Sequence, residues 1–329
     1  HPLLQGHLVS GQNMLTDTSN TQDNIGHGTH VAGIIAQTAP LIKIMPVKVA
    51  DQAVGNFGHS IAKGIVWATD HGARLINFSL TSRTQNNELL EAINYALERN
   101  VVLVAAMGNK GKNSAVIPAA CSAWGVIAVG ATQADRGYWN DSNWGDWMTV
   151  TAPGFDINSS IPLTQSSGGY KKMSGTSQAT PFVSAISALL LSQNPQLKPQ
   201  QVKKLLEESA EDLGKSGKDT NYGFGLINPV KALKLLAKGV PETSDDLRIK
   251  NISVNPFYIT VGTTATLTLN VSNNEQPLGY GWKVTGGSIV GQGKTVQWQV
   301  PTQAGKYQII AGVNNRKIKA YGMTSIIVY

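Results

Sequence analysis

Residues 74–106 read RLINFSLTSRTQNNELLEAINYALERNVVLVAA, and the periodicities in that stretch decide the fold. RLINFSL is a short apolar run of strand length. NNELLEAINYALERN sets Leu89, Leu90, Ile93 and Leu97 on one stripe at helical spacing, which predicts an amphipathic helix. VVLVAA is apolar throughout, with none of the alternation of a strand that has one wet face. That is the pattern of a parallel strand covered on both sides.

The same alternation extends in both directions. LIKIMPVKV (41–49) reads as a buried strand, SIAKGIVWATDHGA (60–73) as a helix closed by Gly72, and GVIAVGA (125–131) as another buried strand. KPQQVKKLLEESAEDL (198–213) and NPVKALKLLAKG (228–239) are amphipathic helices, the second opened by Asn228–Pro229. Repeated strand–helix–strand units predict an α/β fold with a doubly wound, mostly parallel sheet over residues 1–238. Composition shifts at GVPETSDDL (239–247), a polar linker. Beyond it, ISVNPFYITV, TATLTLNVS, GYGWKVTGGSIVG, KTVQWQV, GKYQIIAGV and TSIIVY are short β-branched and aromatic runs between Gly, Pro and Asn turns. Residues 248–329 are therefore expected to form a small all-β sandwich of immunoglobulin-like type.

The bulk numbers narrow the function classes. Of 329 residues, 41% are hydrophobic and 14% charged, which excludes a disordered chain. The 27 Lys and Arg against 20 Asp and Glu are spread out and carry no nucleic-acid motif, so the basic excess reads as a solvated surface. Cys121 is the single cysteine, so no intrachain disulfide can form. Apolar runs such as VVLVAAMG are too short to span a membrane.

Three segments carry candidate chemistry: GHGTHVAG around His27, AAMGNKG around Asn109, and MSGTSQATPFVSAISALLL around Ser177. Singly, each has an ordinary reading. Serine near a helix start is usually a cap, and asparagine in a glycine-rich loop is usually a turn residue. The histidine pair lacks the Glu of a zinc-binding H-E-x-x-H. Together, and in this order, they resemble the subtilase family of serine endopeptidases. HGTHVAG is similar to its histidine motif and SGTSQATPFVS to its nucleophile motif, departing from the commonest form at Gln178 and Phe182. INFSL, IPAA, GVIAVGAT, TAPG and YGFGLINPVKAL match further landmarks in sequence order, so the resemblance covers residues 1 to about 238.

The resemblance implies that Ser177 is the nucleophile, His27 the general base and Asn109 a donor to the oxyanion. It implies that an extended protein or peptide substrate pairs with Ser79, Leu80 and Thr81 on one side and Ala105, Ala106, Met107 and Gly108 on the other. Thr81 and Met107 stand where the family often has smaller residues, and are expected to crowd a specificity pocket. His30 is expected to pack or cap, and His59 and His71 to be solvated or structural.

Two departures follow from the same resemblance. A subtilase carries its catalytic Asp on a buried strand shortly before an HP dipeptide, and this sequence opens at His1–Pro2. Asp17 and Asp23 follow no buried strand and read as turn or helix-start residues. The expectation is that the strand and its Asp belong to an N-terminal segment of the same precursor, either cut away as a separate fragment or propeptide or omitted from this sequence, since a missing inner strand leaves two unpaired edges. The rival, of a different class, is a catalytically inactive scaffold that binds peptides or partners. In addition, Leu3 stands where many subtilases have a calcium-binding Asp, and the loop AQTAPLIK (36–43) is short, so no metal and no cofactor are expected. Family habit implies secretion.

Overall fold

The computed structural model describes residues 1–51, 58–82, 87–241, 249–256, 258–271, 279–314 and 319–329. In chain order its first unit comprises β1 (Gln12–Asn13), α1 (His27–Thr38), β2 (Val47–Lys48), α2 (Gly58–Asp70), β3 (Leu75–Phe78), α3 (Asn87–Glu98) and β4 (Val102–Ala106). There follow β5 (Ile127–Thr132), β6 (Val150–Pro153), β7 (Ile157–Ser160), β8 (Tyr170–Met173), α4 (Thr176–Gln193), α5 (Pro199–Ser209) and α6 (Pro229–Lys238).

The quoted stretch forms β3, α3 and β4. The two strands pair in parallel from Leu75 opposite Val102 to Phe78 opposite Ala105. β5 and β6 continue the parallel sheet in the order β3-β4-β5-β6. Why β4 is apolar at every position is visible in its packing. Leu103 and Ala105 join a core with Ile65 of α2 and Ile93 of α3. Val102 and Val104 point the other way, into a core with Val183 and Leu190 of α4 and Leu205 of α5. Alternate side chains of one strand thus feed two cores, so neither face can be polar.

On the other side of β3 the sheet stops. β1 and β2 form a separate parallel pair, and among the described residues no strand pairs with the outer edge of β3. Between β2 and β3 lies a cavity of about 1720 Å³ whose walls include Val31 and Ile35 of α1, Val47, Ile76, and Ala188 and Leu191 of α4. Leu75, Ile76 and Asn77 are accordingly only half-buried, while β4 and β5 are buried throughout. The expected strand over 41–49 shrinks for the same reason. Ile44 bridges Leu8, only Val47 and Lys48 are assigned to β2, and both are half-buried at the cavity margin.

The C-terminal unit contains β9 (Ile249–Asn255), β10 (Thr264–Val271), β11 (Gly279–Val284), β12 (Ser288–Val290), β13 (Thr295–Gln299), β14 (Gly305–Asn314) and β15 (Lys319–Val328). They make two antiparallel sheets, β12-β13-β10-β9 and β11-β14-β15. Ala265, Leu267 and Leu269 alternate inward along β10. Leu267, Val296 and Trp298 of one sheet share a core with Ile309 and Val328 of the other. Ile249, Leu269, Ala311 and Val313 instead join the core beneath α2 and α3. The expected linker at 239–247 falls largely in 242–248, outside the described residues.

Candidate active site

α1 begins at His27 because the chain ahead of it caps the helix. Asp23 Oδ1 accepts from the backbone N–H groups of Ile25 (2.9 Å) and Gly26 (2.8 Å). Its Oδ2 accepts from the Thr29 N–H (2.8 Å) and hydroxyl (2.7 Å). Burial alone would raise the Asp23 carboxyl, but the bonds from Thr29, Gly26 and Ile25 outweigh it and hold the group below its ordinary value. With both oxygens occupied, Asp23 acts on His27 through space only. Burial pushes His27 below the usual histidine value, the Asp23 charge opposes that, and His30 adds to it. Among the described residues no side chain hydrogen-bonds the His27 ring. Asp17 lies in an exposed turn and accepts from Gln12 Nε2 at 2.9 Å.

Ser177 is the second residue of α4. Its Oγ donates to the Ser79 carbonyl at 2.8 Å, and Ser79 Oγ donates to the Ser177 carbonyl at 2.7 Å. The second bond has a cause in the sequence. The helical partner of the Ser177 carbonyl would be the N–H of residue 181, which is Pro181 and has none. The Ser79 hydroxyl supplies the missing donor and ties the end of β3 to the start of α4.

Asn109 follows Gly108, whose φ of +92° turns the chain out of β4. Its Oδ1 accepts from the Thr176 N–H (2.9 Å) and hydroxyl (2.8 Å). The same hydroxyl accepts from the Gly108 N–H at 3.0 Å. With the oxygen end held by Thr176, Asn109 Nδ2 is the free donor. A Cβ on Gly175 would stand 3.0 Å from that nitrogen and 2.8 Å from Gln178 Oε1, so the approach requires glycine.

His27, Asn109 and Ser177 line one cleft, together with Ser79, Leu80, Thr81 and Gly108. Ala105, Ala106 and Met107 do not. All three are fully buried, and Ala105 and Met107 belong to the core under α2 and α3, because the chain keeps the strand path of β4 until Gly108. Met107 therefore does not crowd the cleft, whereas Thr81 is exposed on it. His30 is fully buried, its Nε2 3.1 Å from the Ile157 carbonyl and 2.9 Å from that of Lys171. His59 pairs with Glu88 in solvent, and His71 stacks on Trp67. The described residues contain no group of three or more His, Cys, Asp or Glu placed to hold a metal.

Sequence reading passed over three residues that shape this site. Thr176 fixes the Asn109 amide, Asn143 contacts the same loop, and Gln178 is 2% exposed beside the nucleophile with a buried Nε2 that has no partner. Only Gln178 left a signal, as a departure within the nucleophile motif. A hydroxyl at a helix N-terminus, a histidine held towards its neutral form and a fixed amide donor form a constellation suited to acyl transfer.

Comparison with known proteins points the same way. A family-wide profile for the subtilase family matches residues 1–225. Thermitase of Thermoactinomyces vulgaris is 35% identical over 244 residues, 71% of this chain and 84% of thermitase. A thermophilic serine proteinase from a Bacillus species is 36% identical over 243 residues, and there the match spans 58% of the relative. Among solved structures, a lanthipeptide protease superposes with a TM-score of 0.64 at 30% identity, over 72% of this chain and 84% of that one.

Proposed function

The chain belongs to the subtilase family, and from that premise we propose that it is a secreted serine endopeptidase with Ser177 as nucleophile, His27 as general base and Asn109 as oxyanion donor. The Ser177 hydroxyl turns from the Ser79 carbonyl, gives its proton to His27 and bonds to the scissile carbonyl carbon. The carbonyl oxygen takes the negative charge and accepts from Asn109 Nδ2 and the backbone N–H of Ser177. As the C–N bond breaks, His27 returns the proton to the leaving amine. Water, deprotonated by the same ring, then releases the acyl group and restores Ser177. The observation that carries this reading is the Asn109 amide, clamped by Thr176 at its oxygen so that a donor faces the cleft beside Ser177.

The partner of His27 comes, in this reading, from an N-terminal fragment or propeptide of the same precursor, lying extended between β2 and β3. The half-burial of Leu75 and Ile76 supports it, since an added strand covers both. His27 to Ile35 along the cavity spans about 12 Å at about 1.5 Å per helical residue, enough for roughly four residues of strand at about 3.3 Å each. A segment parallel to β3 ends beside the N-termini of α1 and α4, where a carboxylate can orient His27. No calcium is required, because Leu3 and the short 36–43 loop lack the oxygen ligands. The C-terminal sheets form an immunoglobulin-like sandwich.

The second reading, an inactive peptide-binding scaffold, draws on one observation: the Ser177 hydroxyl points at Ser79 and not at His27. Intact mass before and after a fluorophosphonate, with the adduct mapped, separates the two. A Ser177 adduct and a co-purifying short peptide support the protease; an unreactive Ser177 with no peptide selects the scaffold.

A further inference from the structure

Asn109 is only as well placed as the loop that carries it. Residues 107–114 include Gly108 and Gly111, both at positive φ (+92° and +59°), so local preference does little to fix the path. Two buried side chains from elsewhere do: Thr176, whose hydroxyl accepts from the Gly108 N–H at 3.0 Å, and Asn143. Asn143, 1% exposed and outside any helix or strand, uses both ends of its amide inside this loop. Its Oδ1 accepts from the N–H groups of Lys110 (2.9 Å) and Lys112 (3.5 Å). Its Nδ2 donates to the carbonyls of Met107 (2.9 Å) and Ser114 (3.3 Å). Its own N–H donates to the Gly108 carbonyl at 2.8 Å. A Cβ on Gly108 would come within 2.7 Å of Nδ2, so the turn into Asn109 is closed against this amide.

We propose that Asn143 is a positioning residue for catalysis, holding the backbone on both sides of Asn109, while Thr176 holds the Gly108 N–H and sets the rotation of the Asn109 amide. This rests on the reading of Asn109 as the oxyanion donor. Satisfying a buried loop is the ordinary task of such an asparagine, but two of these bonds, to the Gly108 carbonyl and from the Lys110 N–H, hold the peptide groups on either side of Asn109. Misplacing an oxyanion donor affects the transition state more than the bound substrate, so the loss falls on kcat.

The test is a double-mutant cycle in the full-length protein, with kcat normalised to sites titrated by a fluorophosphonate. Asn143→Asp keeps the acceptor and the shape but turns the donor end into a second acceptor facing two carbonyls. Its kcat is expected to fall about 10- to 100-fold with KM within about threefold, and Asn109→Ala alone to fall about 10²–10³-fold. In the Asn109→Ala background, Asn143→Asp costs no more than about twofold further, because the group it positions is gone. A full additional loss in that background, or a change confined to KM, overturns the proposal while leaving Asn109 its role. If Asn109→Ala leaves kcat unchanged, the oxyanion assignment itself falls. If neither Asn143→Asp nor Asn143→Ser yields titratable sites, Asn143 is a folding residue and the proposal is overturned.

Discussion

Ser79→Ala removes the hydroxyl that donates to the Ser177 carbonyl, and its cost depends on a residue four positions along α4. The Ser177 carbonyl has no helical partner because Pro181 carries no N–H. Losing that donor to a part-buried acceptor costs at most about 1–3 kcal/mol. Ser79 Oγ also accepts from Asn77 Nδ2 at 3.1 Å, but Asn77 lines the open cavity, where water replaces that bond at little cost. At about 2–4 °C per kcal/mol for a unit of this size, Ser79→Ala should lower the melting temperature by roughly 2–12 °C. Pro181→Ala restores an N–H opposite the Ser177 carbonyl, so in that background Ser79→Ala should cost less than half as much. The assay is thermal unfolding of the four proteins of this cycle, followed by tryptophan fluorescence. Equal cost in both backgrounds would refute the claim that the Ser79 hydroxyl replaces the missing helical donor.

Three further outcomes are expected. His27 and His30 both sit below the ordinary histidine value because of burial, so the unfolded chain binds protons more readily and stability should fall as pH drops below about 6.5; melting temperatures flat from pH 7 to 5 would contradict this. Thr176→Val leaves the Gly108 N–H without its acceptor and the Asn109 amide with one restraint in place of two, and kcat should fall about tenfold with KM nearly unchanged, measured with a peptide substrate. A chelator should leave the melting temperature within about 1 °C, the error of such a measurement against the shift a lost ligand produces; a larger fall would show that a calcium site exists despite Leu3.

The central sheet was legible because burial on both faces writes itself locally. β4 is apolar at every position, α3 carries its stripe, and the family resemblance located His27, Asn109 and Ser177, which the structure sets on one cleft. The outcome differed where shape depends on a neighbour distant in sequence. LIKIMPVKV has the composition of a buried strand, but strand length follows the partner backbone, and on its inner side the described structure has a cavity. Met107 is expected from the sequence to crowd a specificity pocket, yet the chain keeps to the strand path for one residue more, its N–H donating to the Val129 carbonyl, which sends its side chain into the core. Thr176 and Asn143 meet the Asn109 loop across 67 and about 30 residues of chain. Nothing in local composition encodes such a meeting; only the winding of the sheet does.

The C-terminal sheets do not hang from the first unit as separable cargo. Ile249, Leu269, Ala311 and Val313 belong to the same apolar cluster as Ile61, Leu89 and Trp124, so the boundary between the units is a seam through shared oil. Cutting the chain in the 239–247 stretch would leave the two pieces adhering. Deleting the sheets would uncover the side of α3 that meets β9 and the 3-10 helix at Ala119–Trp124, which packs against β9 and β15. A transplant of the catalytic unit onto another C-terminal module would therefore have to redesign that face first, as one redesigns the cut surface of a split protein.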